Sequence, residues 1–168
     1  MFGVTRYADV ILADAFPRHR QDLRAALDGF TFRRAELVAG GGNQTTMARR
    51  FDSTLRQRGW GKRRIEIEKR IDNVQVMAVR GHEIDMFKEG APGNPYPGIG
   101  CEMEWNNKDP FFDRDLNNFA ALHREGVLAV GVIVTRGPRL QAAIRERVPG
   151  GTGKYGASTT WWEKLVPG

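Results

Sequence analysis

The sequence predicts an α/β protein, with a mixed central sheet flanked by helices. Three observations lead there. Residues 127–135 (VLAVGVIVT) are a continuous apolar run of strand length, which suits a strand buried on both faces of a parallel or mixed sheet. From residue 74 onward the segments read strand, strand, helix, strand, helix, with helical segments before them. The chain has 168 residues, enough for one ordinary domain and too few for two comfortable ones, so residues 1–168 are read as a single domain.

Taken in order, residues 5–16 read as helix, and Pro17 opens a second helix over 18–28 that Gly29 closes. A short apolar piece spans 35–39, and three glycines (Gly40, Gly41, Gly42) then mark a loop. Met47, Phe51 and Leu55 fall at helical spacing, so 46–58 is helix with arginines on its other face. Residues 63–71 alternate Ile65 and Ile67 with Glu66 and Glu68; a strand fits, and helix stays open. Residues 74–88 read as strands broken at Arg80-Gly81. The stretch 89–98 holds three prolines and three glycines and is irregular loop. A strand follows over 99–105. Pro110 starts a helix to about 124, with Asp113 and Asp115 in its first turns, where the helix dipole favours acids, and with Phe112, Leu116, Phe119 and Ala120 as its apolar face. Gly126 ends it. After the 127–135 strand, Pro138 begins a helix to about 147. A glycine loop (149–158) leads to the last segment, TTWWEKLVPG.

The charge narrows the function. Lys and Arg number 26 against 20 Asp and Glu, for a net charge of +6 and a pI near 9.9. A polyanion such as nucleic acid is a fitting partner, and a merely basic protein is the alternative. Residues 47–72 tilt the choice, with nine Lys or Arg against four acids. These cations suit phosphate contacts at least as well as they suit a solvated face. No apolar run reaches the length of a membrane-spanning helix, and the N-terminus lacks a secretory pattern, so a cytoplasmic protein without membrane attachment is expected. The single Cys101 suggests neither an internal disulfide nor a cysteine-ligated zinc site.

Against that basic background, GIGCEMEWNN (98–107) is unusual. Glu102 and Glu104 alternate with Cys101, Met103 and Trp105, so a strand sets both carboxylates on one face. Asp85 lies seventeen residues before Glu102. If the two strands are neighbours, Asp85 and Glu102 converge. A divalent cation would compensate their repulsion: Mg²⁺ takes oxygen ligands, commonly one or two carboxylates plus water and a phosphate. It also makes a nucleophile of bound water. Metal-assisted phosphodiester hydrolysis is the chemistry this pattern suggests. The acidic spacing alone more often describes a solvated strand face. The apolar company of Ile84, Met86, Phe87, Ile99 and Cys101 argues for a purpose.

Four stretches carry a resemblance: HEIDMFK, then GIGCEMEWNNKDPFFDRDLNNFAALHREG, then VLAVGVIVTRG, then YGASTTWWEKL. Together they resemble the BglII/BstYI/BamHI group of type II restriction endonucleases, over roughly residues 40–165 and most clearly over 82–137. The resemblance implies the restriction-endonuclease-like PD-(D/E)xK fold. It implies that Asp85 and Glu102 bind metal, with the backbone carbonyl of Met103 contributing. It places Glu104 where most such nucleases have lysine, as a general base or an orienter of the attacking water. Glu68, with Glu66 as the alternative, would be an additional acid of the site. Asn106 and Asn107 match a base-contacting region, and asparagine suits adenine N6 and N7. Ser158, Thr159 and Thr160 fall where relatives approach DNA. BglII-type sequences generally continue beyond this point, which implies a chain trimmed relative to them.

Other motifs are weaker. PGGTGKYG lacks the Walker A pattern, since Val148 and Tyr155 stand at required positions; a loop bringing Lys154 near a DNA phosphate is preferred. His82 and His123 read as structural or surface residues. The expectation is a Mg²⁺-dependent type II restriction endonuclease, homodimeric on a palindrome in double-stranded DNA, with a GATC core and a cognate DNA methyltransferase implied by the resemblance. The alternatives are a cleavage-deficient, sequence-specific DNA-binding relative and a PD-(D/E)xK nuclease of DNA repair.

Overall fold

The computed structural model describes residues 7–38, 45–105, 109–148, 155 and 161–165, with the side chains of 76–81 and 109–112 outside that description. Its elements run α1 (Ala8–Asp14), α2 (Pro17–Asp28), α3 (Arg34–Val38), α4 (Thr46–Arg56), β1 (Gly61–Ile71), β2 (Val74–Glu89), β3 (Gly98–Met103), α5 (Asp109–Arg124), β4 (Val130–Val134), α6 (Pro138–Arg147) and α7 (Trp162–Leu165). Pro17 takes the first position of α2, where its missing N–H costs nothing. Thr45 caps α4, its hydroxyl accepting from the Ala48 N–H at 3.3 Å. Met47, Phe51 and Leu55 are buried along α4, as their spacing requires.

The described strands form one mixed sheet in the order β1-β2-β3-β4. β1–β2 and β2–β3 are antiparallel, and β3–β4 is parallel, joined through α5. The β1–β2 hairpin turns on Asp72 and Asn73, both at positive φ, as a two-residue turn of this hand demands. Two layers cover the sheet. On one face Phe16, Leu23, Phe51 and Leu55 pack with Met86, Ile99 and Cys101. On the other, Phe119 and Leu122 of α5 pack with Ile84, Phe87 and Leu128. Gly131 admits this contact: a Cβ there would come within 2.4 Å of the Phe119 ring. A third cluster joins Leu37, Met47, Trp105, Ile144 and Tyr155 beyond the end of β3.

Three expectations need correcting. Residues 74–89 are one strand, not two broken at Arg80-Gly81. The register takes two steps on β1 (Ile65 to Ile67) for three on β2 (His82 to Val79), so a bulge absorbs the extra residue there without ending the ladder. The apolar face of α5 is also turned from the expected one. Phe119 is buried as expected, but Asp115 and Leu122 are buried beside it while Leu116 and Ala120 are exposed, and the Phe112 side chain lies outside the described residues. The helix thus carries a carboxylate inward. Finally, β4 pairs in parallel as expected, but it ends the described sheet and only Val130 and Val134 are fully buried. Trp161 and Trp162 are half-buried, and the Trp162 N–H donates to the Arg136 carbonyl.

Candidate active site

The site lies where β2 and β3 part. Their backbone pairing ends at Met86 with Cys101, and the next residue on each strand is Asp85 or Glu102. A second bulge sits here: β1 takes two steps from Gly61 to Arg63 while β2 takes three from Phe87 to Ile84. Asp85 lies inside that bulge. Bulges re-aim side chains, and this one frees Asp85 from the ladder beside Glu102. The Asp85 N–H donates to Glu102 Oε1 at 3.0 Å. The Asp85 side chain is about half exposed, with relative accessibility of 52%, whereas Glu102 is 9% accessible. One carboxylate faces solvent and the other lies beneath it.

Gly100 shows which face the glutamates share. A Cβ there would touch Leu128, Phe119 and Ile84, on the α5 side of the sheet. Glu102 and Glu104, two and four residues on, follow the same parity toward α5. Glu104 is buried, and its backbone N–H donates to the Val134 carbonyl at 2.9 Å, extending the parallel pairing one residue past β3. Met103, between them, pairs with Val134 and packs against the opposite core.

Electrostatics single out Glu102. Burial, reinforced by the carboxylates of Asp85 and Asp115, pushes its pKa up to about 8, against the pull of the Asp85 N–H. Asp115 of α5 was read from sequence only as an acid near a helix start. It is buried, its Oδ1 accepts from Arg114, and its Oδ2 is buried without a hydrogen-bond partner among the described residues. The inward turn of α5 makes it part of the site, and no motif marked it. Two cations flank the acids. Lys62 Nζ lies 2.5 Å from Glu83 and 4.0 Å from Asp85. Its pKa is raised, chiefly by the bond to Glu83 and further by Asp85 and Glu102. Arg114 sits on the α5 side.

The other predicted residues fare differently. Glu68 stands opposite Ala78 and pairs with Arg70 at 2.7 Å. Five steps of strand separate it from Arg63, the partner of Ile84, which is roughly 17 Å at strand rise. The structure does not bring it to Asp85. Glu66 is exposed and paired with Arg64. Asn106, Asn107, Lys154, Ser158, Thr159 and Thr160 lie outside the described residues. His82 stands opposite Ile65, and His123 Nδ1 bonds the Leu128 carbonyl, both structural placements. The basic segment 47–72 divides: Arg50 pairs with Glu36 and Arg58 with Asp22, behind the sheet, and Lys62 alone approaches the acidic pair.

Among the described residues no group of three or more His, Cys, Asp or Glu side chains is placed to hold a metal ion. The Asp85–Glu102 pair still fits a hard divalent cation, which needs only one or two carboxylates when carbonyl, water and phosphate oxygens complete its shell. Two carboxylates forced together, one with strongly raised proton affinity, form a donor set whose repulsion a cation would relieve.

A mixed sheet flanked by helices is consistent with a restriction-endonuclease-like fold. A family model for restriction endonuclease BglII/BglIII matches residues 2–168, and the chain belongs to that family. Its class is therefore a nuclease, a hydrolase acting on double-stranded DNA, in a family that generally uses divalent metal ions. No match to a curated protein was found. No helix among the described residues is long and apolar enough to cross a membrane.

Proposed function

We propose that this chain is a type II restriction endonuclease that hydrolyses one phosphodiester per strand at a short palindrome, with Mg²⁺ held by Asp85, Glu102 and the Met103 carbonyl. The observation that carries this reading is the meeting of Asp85 and Glu102 at the β2 bulge, in a chain of this family. A cation bound there would screen the charge of the phosphate and acidify water.

The chain's own residues divide the remaining work. Asp85, exposed in its bulge, meets substrate first; Glu102, beneath it, is oriented by the Asp85 N–H. Glu104, on the same face, accepts the proton of the attacking water at a carboxylate oxygen. Water oxygen then bonds to phosphorus, the bond to the 3′ oxygen breaks, and that oxygen takes up a proton. The products are a 5′-phosphate and a 3′-hydroxyl. Glu68 has no part in this site.

The remaining features follow from the resemblance: a homodimer matched to a two-fold symmetric site, recognition of a GATC core, base contacts from Asn106 and Asn107, and a methyltransferase of the same specificity. Lys154, Ser158 and Thr159 would approach the backbone.

The test is incubation of the purified protein with phage DNA in Mg²⁺ or in EDTA, beside Glu102→Ala. Discrete bands that need Mg²⁺ and vanish in the variant are expected, and sequencing their ends gives the site. Tight binding of a defined palindrome that stays intact in Mg²⁺ would instead identify a cleavage-deficient relative. Cleavage set by DNA structure rather than sequence would point to a repair nuclease.

A further inference from the structure

We infer that Arg114 is a further catalytic residue, gripping the scissile phosphate, and that Asp115 is its positioning residue. The inference rests on the nuclease reading above and adds to it the residue that receives the phosphate.

Asp85, Glu102, Glu104 and Asp115 are four carboxylates around one site, three of them buried. A phosphodiester brings another negative charge. Entry of an anion into such a field requires fixed positive charge at the rim, over and above any bound cation. Arg114 is in position to supply it. Its guanidinium feels both Glu104 and Glu102 and is held chiefly by its bond to Asp115. The side chain is 59% accessible, so its charge is presented to solvent rather than sealed in the core.

The anchoring is unusual for a surface arginine. Nε and one terminal nitrogen both reach Asp115 Oδ1, at 2.9 and 2.8 Å. An exposed arginine normally wanders among rotamers, and a surface ion pair seldom restrains it. Here the acceptor belongs to a carboxylate only 6% accessible, fixed on the inward face of α5 among Phe119 and Leu122. Asp115 also keeps Oδ2 buried without a hydrogen-bond partner among the described residues. A buried, half-satisfied carboxylate is costly, and an apolar residue would pack better at this turn of the helix. Orienting a cation gives that cost a purpose: a guanidinium already aimed loses little on meeting phosphate, and its planar fork suits phosphate oxygens.

The test measures single-turnover cleavage of phage DNA in Mg²⁺ by the full chain and by Arg114→Ala, Arg114→Lys, Asp115→Asn and the double variant Arg114→Ala/Asp115→Asn. The double variant guards against a misfolded protein left with an unpaired buried acid. We expect Arg114→Ala to slow cleavage roughly 100- to 1,000-fold, with partial rescue by free guanidinium. Asp115→Asn should slow it less, and adding it to Arg114→Ala should bring no further loss. Wild-type rates in Arg114→Ala would overturn the inference and leave the nuclease reading intact. So would a rate loss that tracks lost thermal stability, resists guanidinium and disappears in the double variant, because Arg114 would then serve only to neutralise Asp115. A wild-type chain that cleaves nothing would remove the nuclease reading and this inference with it.

Discussion

Replacing Glu102 with glutamine should abolish cleavage and at the same time make the metal-free protein more stable. An ordinary glutamate titrates near 4.5, and in the fold Glu102 is pushed up to about 8. The sign follows from proton binding. Between those two values the folded state holds a proton that the unfolded chain releases, so folding is progressively disfavoured as pH rises from 4.5 to 8. Each pH unit in that window is worth about 1.4 kcal/mol, which puts the cost at about 3 kcal/mol at pH 7. Glutamine is isosteric and stays neutral, and its oxygen can still accept from the Asp85 N–H. Glu102→Gln should therefore gain about 3 kcal/mol at pH 7 in EDTA, a rise in Tm of roughly 6–12 °C for a chain of this size. Thermal and urea denaturation in EDTA from pH 5 to 9 would measure it. The two proteins should be nearly equally stable at pH 5 and diverge as pH rises. Parallel stability curves, or a less stable variant at pH 8, would refute the reasoning, because Glu102 would then be comfortably ionised in the fold. Added Mg²⁺ should narrow the gap by stabilising the wild type alone.

Three more predictions concern separate parts of the molecule. Glu104→Gln should lose most cleavage while retaining DNA binding in Mg²⁺, read by fluorescence anisotropy on the same duplex. Gly131→Ala places a methyl within 2.4 Å of the Phe119 ring and should cost about 1–3 kcal/mol in urea denaturation as α5 is forced outward. His19, whose Nε2 bonds the Glu89 carbonyl at 2.7 Å, has its pKa lowered, first by burial. The unfolded chain then takes up its proton more readily than the fold does, so this contribution is complete above pH 6.5 and is lost as pH falls below it. His19→Gln should remove that component from a stability profile measured between pH 5 and 7.

Much of the architecture was legible because it rests on short-range patterns. The spacing of Met47, Phe51 and Leu55 gave α4, and the apolar run at 127–135 gave the parallel strand. The convergence of Asp85 with Glu102 was also readable, given neighbouring strands. What the sequence concealed was decided by register and by helix rotation. Three register shifts along β2 follow from competition between pairing and packing along a long strand, and nothing local encodes where the extra residues settle. The rotation of α5 is ambiguous in the sequence because Leu116 and Ala120 extend an apolar stripe from Phe119 as well as Leu122 does. Contact with Gly131 and Leu128 settles it. That same rotation carries Asp115 inward, which explains why the acid was missed. Glu68 shows the converse error, since equal sequence spacing does not mean equal position when the hairpin carries it along β1 away from the site.

The acids of this site sit in a protein of net charge +6, and the distribution of that charge bears on how it works. A uniformly basic surface would draw DNA from any direction and hold it anywhere. Here the described cations nearest the carboxylates are few and tethered, Lys62 to Glu83 on the Asp85 side and Arg114 to Asp115 on the α5 side. The rest of the 47–72 cluster is largely spent on pairs such as Arg50 with Glu36 and Arg70 with Glu68. If Asp85 and Glu102 hold the cation proposed above, long-range attraction comes from the whole molecule, while the field at the centre stays unfavourable to phosphate until that cation enters. An acidic pocket with anchored positive rims would then repel bare phosphate and admit phosphate once that cation is present. On this reading the order of binding is written into the electrostatics, and the raised proton affinity of Glu102, set first by burial and then by its neighbouring carboxylates, is the metal-free state of the same site.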